Sequence, residues 1–264
     1  MKKTAQQISY KVQGQGIPMV ILHGLGRSID HWLGFDDRLA EHCQVIAVEN
    51  RGIGYSQQAP INLNASIKDY CDDVVAVMDE LNIPKAHIMG VSLGGMMALG
   101  CGIYNPDRCY SLSVVNSSIA EGWQRLSPLA TLALIKASVI PDQREKILVD
   151  LLISNMSKKE KVVLAEKMQK VSNAQKATLK LVSSQLIAAG KFFVKKNLGK
   201  MRVPTQVILG AKDQFTPPKN SHQIHRCIPN AKLVKIKGGG HEVWHEQPDE
   251  LASLLVRFAK ENMS

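Results

Sequence analysis

The chain has no long hydrophobic run, no paired-cysteine motif, no internal repeat and no low-complexity tract. Each absence removes a class of protein. The longest apolar stretch, PLATLALIKASVIP, is interrupted by Lys136 and is too short to cross a bilayer, so no membrane span is expected. The opening MKKTAQQISYKVQGQG is charged and then polar, without the apolar segment of a secretory leader. Cysteines stand at 43, 71, 101, 109 and 227. Their odd number and lack of C-x-x-C spacing predict reduced thiols in a cytoplasmic protein. Four lie in apolar surroundings, where a thiol serves as filler. No nucleic-acid recognition module is present, so nucleic acid is not an expected partner.

What is present suits an enzyme-sized domain. The 264 residues are 45% hydrophobic, enough for one large α/β core with an insertion. The net charge of +10 is unevenly spread. Residues 117–202 hold 16 Lys/Arg and 6 Asp/Glu, and the remainder holds 17 of each. All the excess positive charge therefore lies in one central segment.

Short runs rich in β-formers occur at 18–24 (PMVILHG), 44–49, 86–92, 111–116, 205–210 and 232–238. Helical patterns separate several of them. In 66–82 a stripe of Ile67, Tyr70, Cys71, Val74, Val75, Met78 and Leu81 predicts one buried helix face, and Ser66 with Asp69 resembles a capping box. Further helices are expected over 94–105 and 248–262, the second with a proline in its first turn. Such alternation predicts βαβ units and a mostly parallel sheet, with ISYKV (8–12) as an antiparallel edge strand. It stops after Asn116 and resumes at Val203. The predicted division is a core of 1–116 and 203–264, with a helical cap over 117–202.

GVSLGG (90–95) closes a predicted strand and opens a predicted helix. Gly90-Val91-Ser92-Leu93-Gly94 fits G-x-S-x-G. A sharp strand-to-helix turn projects the serine hydroxyl, and small neighbours keep that turn free of clashes. Ser92 is thus the candidate nucleophile. A tetrahedral oxyanion needs two backbone N–H donors. Leu93, next to the serine, and Leu25, in the HGLG loop (23–26), are the candidates. His23 is expected to order that loop by hydrogen bonds, and Arg51 in ENRGIGYS (49–56) to tie loops together. The latter loop lacks a phosphate-cradle ending.

Taken in order, HGLG, ENRGIGYS, GVSLGG, GAKDQFTPP and GGGHEVWHEQP resemble the α/β-hydrolase family, of the cofactor-free serine esterase type. The likeness covers the chain except its central segment. It implies an α/β-hydrolase fold with a helical lid and no cofactor. Glu49 and Ile53 depart from the family's usual Asp and frequent His, away from the expected machinery.

The resemblance implies the chain order serine, acid, histidine. Asp213 in ILGAKDQFTPP then becomes the acid, because the family's other acid position holds Asn116. Among eight histidines, His31, His42 and His87 precede the acid, and His222 and His225 fall on a predicted surface helix. His241, on a glycine-rich loop after the last strand, is the expected base, with His245 structural. His241-Glu242-Val243-Trp244-His245 also spells the H-E-x-x-H zinc motif. Three glycines before it and Pro248 after it disfavour the long helix that a zinc site needs, so no metal is expected.

The implied reaction is hydrolysis of a carboxylic ester, thioester or lactone through an acyl-enzyme. Enol-lactone hydrolysis, carbon–carbon bond hydrolysis and cofactor-free perhydrolysis on the same triad remain open, as does a non-catalytic receptor. A small acyl ester is the expected substrate. The pattern also resembles esterases of acyl-carrier-protein methyl esters, which makes an acidic carrier protein a candidate partner for the basic cap.

Overall fold

The computed structural model describes residues 1–119, 126–175 and 177–263. Among these, the strands β1 (Lys2–Lys3), β2 (Ser9–Gln13), β3 (Pro18–Leu22), β4 (Gln44–Val48), β5 (Ala86–Val91), β6 (Cys109–Val115), β7 (Thr205–Gly210) and β8 (Lys232–Ile236) form one sheet in the order β1-β2-β4-β3-β5-β6-β7-β8. From β4 to β8 every pairing is parallel, and only the β1–β2 and β2–β4 pairings are antiparallel. The inner strands β5 and β7 are buried along their whole length. That is why their sequences are continuous apolar runs without alternation. At the open edge, β8 exposes Lys232 and Lys235, a charge pattern that discourages edge pairing.

Helices α1 (Phe35–Ala40), α2 (Ile67–Glu80) and α3 (Leu93–Tyr104) belong to the first half of the sheet. Between β6 and β7 come α4 (Pro128–Val139), α5 (Arg144–Leu152), α6 (Lys158–Gln175), α7 (Leu179–Gly190) and α8 (Lys195–Leu198). No strand occurs in that interval among the described residues. Then follow α9 (Lys219–Cys227), α10 (Val243–Glu246) and α11 (Pro248–Glu261). One apolar cluster packs α2, α3 and α9 onto one sheet face, and a second packs α1 and α11 onto the other. A third cluster joins Ala133, Leu148, Leu152 and Met168 of α4–α6 to Phe215, from the loop after β7. No helix among the described residues is long and apolar enough to cross a membrane.

Three local expectations need correction. ISYKV is not the outermost strand, because the two-residue β1 pairs with it and occupies the edge. On α2 the buried stripe includes Asp73 and Val77, while Val75 is only half-buried. Asp73 tolerates burial because Arg51 grips both its carboxylate oxygens, at 2.8 and 2.7 Å. This bidentate pair ties the 49–56 loop to α2, so Arg51 is half-buried and joins loop to helix, not loop to loop as expected. Ser66 does cap α2: its N–H and hydroxyl each donate to Asp69 Oδ2 at 2.7 Å.

Candidate active site

The sheet's C-terminal edge gathers the candidate residues. Ser92 sits between β5 and α3 with φ 55° and ψ −116°, a left-handed conformation that costs a non-glycine residue free energy. The flanking glycines are required by contact. A Cβ on Gly90 would lie 1.9 Å from Gly94 O, and one on Gly94 would lie 2.3 Å from Leu22 O.

Asp213 follows β7. Its Oδ1 accepts from the N–H groups of Phe215 and Thr216, both at 2.8 Å. Its Oδ2 meets His241 Nδ1 at 2.8 Å, and both side chains are buried. This contact commits Nδ1 and leaves Nε2 as the ring's other nitrogen. Ser92 and His241 line one small cavity of about 60 Å³, together with Leu25, Leu148 and Phe215.

Leu25 N–H and Leu93 N–H have no hydrogen-bond acceptor among the described residues. Their neighbours differ: Gly26 N–H donates to Gln185 Oε1 at 2.8 Å, and Arg27 N–H to Gly24 O at 3.3 Å. Leu93 follows Ser92 in the chain, and Leu25 lines the cavity that Ser92 shares.

The expectation that His23 orders its loop by hydrogen bonds needs correction, because both of its buried ring nitrogens lack a hydrogen-bond partner among the described residues and the side chain packs instead. Its ring stacks on Trp32 at 3.7 Å between centroids, and burial drives its pKa well down. Glu49 accepts from Ile29 N–H at 3.1 Å, and burial pushes its carboxyl well above the usual range. His87 pairs with Ser111 at 2.7 Å, away from this cavity.

The His and Glu residues of H-E-x-x-H, and Glu246 just after it, have separate surroundings. His241 meets Asp213. Glu242 Oε1 accepts from Arg27 Nε at 3.1 Å and lies 3.0 Å from its Nη2. His245 lies inside α10, its pKa lowered to about 3 by burial and then by Arg27. Glu246 accepts from the N–H groups of Ser154, Asn155 and Gly240, at 2.6, 2.5 and 2.5 Å.

Sequence reasoning missed several of these positioning groups. Arg27 bridges Glu242 and Glu145, with Glu145 Oε2 at 2.7 Å. His241 N–H donates to Leu152 O, at the end of α5, at 2.7 Å. Asn116 is a strap, not an acid. Its Oδ1 accepts from Gly210 N–H at 2.7 Å, and its Nδ2 donates to Gly240 O and His241 O at 2.9 and 2.8 Å. The HGLGR loop and the HE pair held the only local hint, charges set beside the expected machinery.

A parallel sheet with an antiparallel start, a serine on a strained strand-to-helix turn, and an Asp–His pair on two later loops together define an α/β-hydrolase. The chain belongs to this family, since the family model for the alpha/beta hydrolase fold matches residues 17–248. A Caulobacter segnis protein whose name assigns it as a carbamate hydrolase, RutD, is 28% identical over 97% of both chains. The pimeloyl-[acyl-carrier protein] methyl ester esterase of Aliivibrio fischeri is 22% identical over 96% of this chain and 97% of its own. The crystal structure of the enol-lactonase from Burkholderia xenovorans LB400 matches with a TM-score of 0.77 and 23% identity, covering 96% of both chains.

Proposed function

We propose that the protein hydrolyses a carboxylic ester or lactone with Ser92 as nucleophile, His241 as general base and Asp213 as the residue that orients it. The observation that carries this reading is the Asp213–His241 contact beside a cavity that Ser92 shares. Ser92 Oγ attacks the carbonyl carbon as its proton passes to His241 Nε2. Leu25 and Leu93 N–H groups donate to the developing oxyanion. Collapse breaks the bond to the leaving alcohol oxygen, which takes the proton from His241. Water then attacks the acyl-enzyme by the same route and restores Ser92. Helices α4–α7, within 117–202, act as the lid over the site, and the five free cysteines suit a reducing cytoplasm.

Ser92→Ala is expected to lower turnover of p-nitrophenyl butyrate at least a thousandfold and to abolish labelling by a fluorophosphonate probe. Retained turnover removes Ser92 as the nucleophile. A second reading, hydrolysis of an acyl chain carried by an acidic carrier protein, is favoured by the +10 charge confined to 117–202.

A further inference from the structure

Arg144 is the first residue of α5 and lines the same cavity as Ser92. Its position is electrostatically unfavourable. A cation at a helix N-terminus faces the positive end of the helix dipole. Its side chain is only 20% exposed. Burial and the neighbouring Arg27 both depress its pKa. Compensation inside the protein is slight, because Arg27 takes the carboxylates. Glu145 Oε2 accepts from Arg27 Nη1, and Glu145 Oε1 accepts from Ser172 Oγ at 2.6 Å. Glu242 Oε1 also receives Arg27. Arg144 reaches Glu145 only through Nε, at 3.5 Å, and no hydrogen bond to its Nη groups occurs among the described residues. Much of the rest of the cavity wall is apolar, including Leu134, Leu148, Val182 and Phe215. Arg27 and Glu242 also line the cavity but are bonded to each other, which leaves Arg144 as the charged group there that a ligand can pair with.

Resting on the ester-hydrolase reading of this cavity, we propose that Arg144 anchors a carboxylate on the substrate, so that the natural ester is a half-ester or lactone acid. The planar fork suits a carboxylate, which it grips with two parallel hydrogen bonds. The α5 amide dipole, unfavourable for arginine alone, favours the bound anion. The loop that carries Leu25 bounds the substrate's length. A Cβ on Gly26 would lie 3.0 Å from Arg144 Nη2, and one on Gly24 would lie 3.8 Å from Ser92 Oγ. These glycines are two residues apart, at most about 7.6 Å between α-carbons. With those contacts and the Cα–Cβ bonds added, Arg144 Nη2 and Ser92 Oγ lie at most about 17 Å apart, within reach of one small molecule. Such a substrate is a free small molecule, in contrast to a chain delivered on a carrier protein.

The test compares monomethyl glutarate with its neutral dimethyl ester. Binding to Ser92→Ala is measured by calorimetry, and kcat/KM on the unmutated protein. The half-ester is expected to bind at least tenfold more tightly than the diester, and the kcat/KM ratio to favour it by about ten- to a hundredfold. Arg144→Gln, in each background, is expected to bring both ratios to about one, and Arg144→Lys to retain part of the preference. No half-ester preference, or a preference unchanged in Arg144→Gln, overturns the proposal. The parent's own preference decides the case if Arg144→Gln does not fold. Diester hydrolysis lost in Ser92→Ala without half-ester preference leaves the hydrolase reading standing and removes the anion site. Half-ester binding that depends on Arg144, without hydrolysis of either ester, does the reverse.

Discussion

At the scale of single residues, the buried histidines make the fold sensitive to mild acid. His245 is held near a pKa of about 3, whereas an unfolded chain titrates it near 6.5. Between those values the unfolded state binds a proton that the native state refuses. Stability from this group is therefore full above about pH 6.5 and is lost as pH falls toward 3. The slope is about 1.4 kcal/mol per pH unit. His245→Gln, which does not titrate, is expected to remove this increment from urea-unfolding free energies measured at pH 7.5, 6.5 and 5.5. An equal slope in parent and variant refutes it. His87, lowered to about 4 by burial, acts in the same direction and stays in both proteins, so the difference isolates His245.

At the scale of elements, the β5–α3 turn is the least forgiving part of the chain. Gly94→Ala drives a methyl group onto the β3 carbonyl at Leu22. Backbone on both sides cannot yield as a flexible side chain would. The substitution is expected to cost about 2 kcal/mol or more, read as a lower denaturation midpoint, with loss of esterase activity. Wild-type stability in this variant shows that the strands shift to accommodate it. The same turn explains why so much was legible in the sequence. Strand, turn and helix here span residues 86–104, and their pattern is local. Asp213 and His241 were legible because strand ends and glycine loops mark them and the family order ranks them. Pairings across the chain left no local pattern. Arg27 meets Glu145 and Glu242 across 118 and 215 positions, and nothing near Arg27 says which carboxylates it will find. Asp73 broke the α2 stripe for the same reason. Its burial depends on Arg51, which lies outside that helix. The outer strand β1 is two lysines long, too short and too charged to read as a strand.

At the scale of the molecule, Arg27 is an electrostatic rivet between the loop after β3, the helices inserted between β6 and β7, and the loop that carries His241. It joins Glu145 on α5 and Glu242 beside His241, with all three side chains at most 5% exposed. Removing one partner of such a buried cluster strands the others without compensation. Arg27→Met is expected to destabilise the protein by about 3–5 kcal/mol in denaturant titrations. A loss below about 1 kcal/mol means that water or Arg144 reaches the two carboxylates instead. Helix α5 also reaches the candidate base directly, through Leu152 O and His241 N–H.

The Asn116 strap has a consequence for the order of assembly. Its partners Gly210 and Gly240 lie 94 and 124 residues further along the chain. The serine turn is closed by nearer partners, since Ser92 N–H donates to Val115 O and Ser117 Oγ donates to Ser92 O. His241 is seated only after β7, the Asp213 loop and the glycine loop have docked on Asn116 and Leu152. Helix and strand content is thus expected to return, by circular dichroism during refolding, before hydrolase turnover does. The delay between the two signals is a clock for the final closure of the molecule.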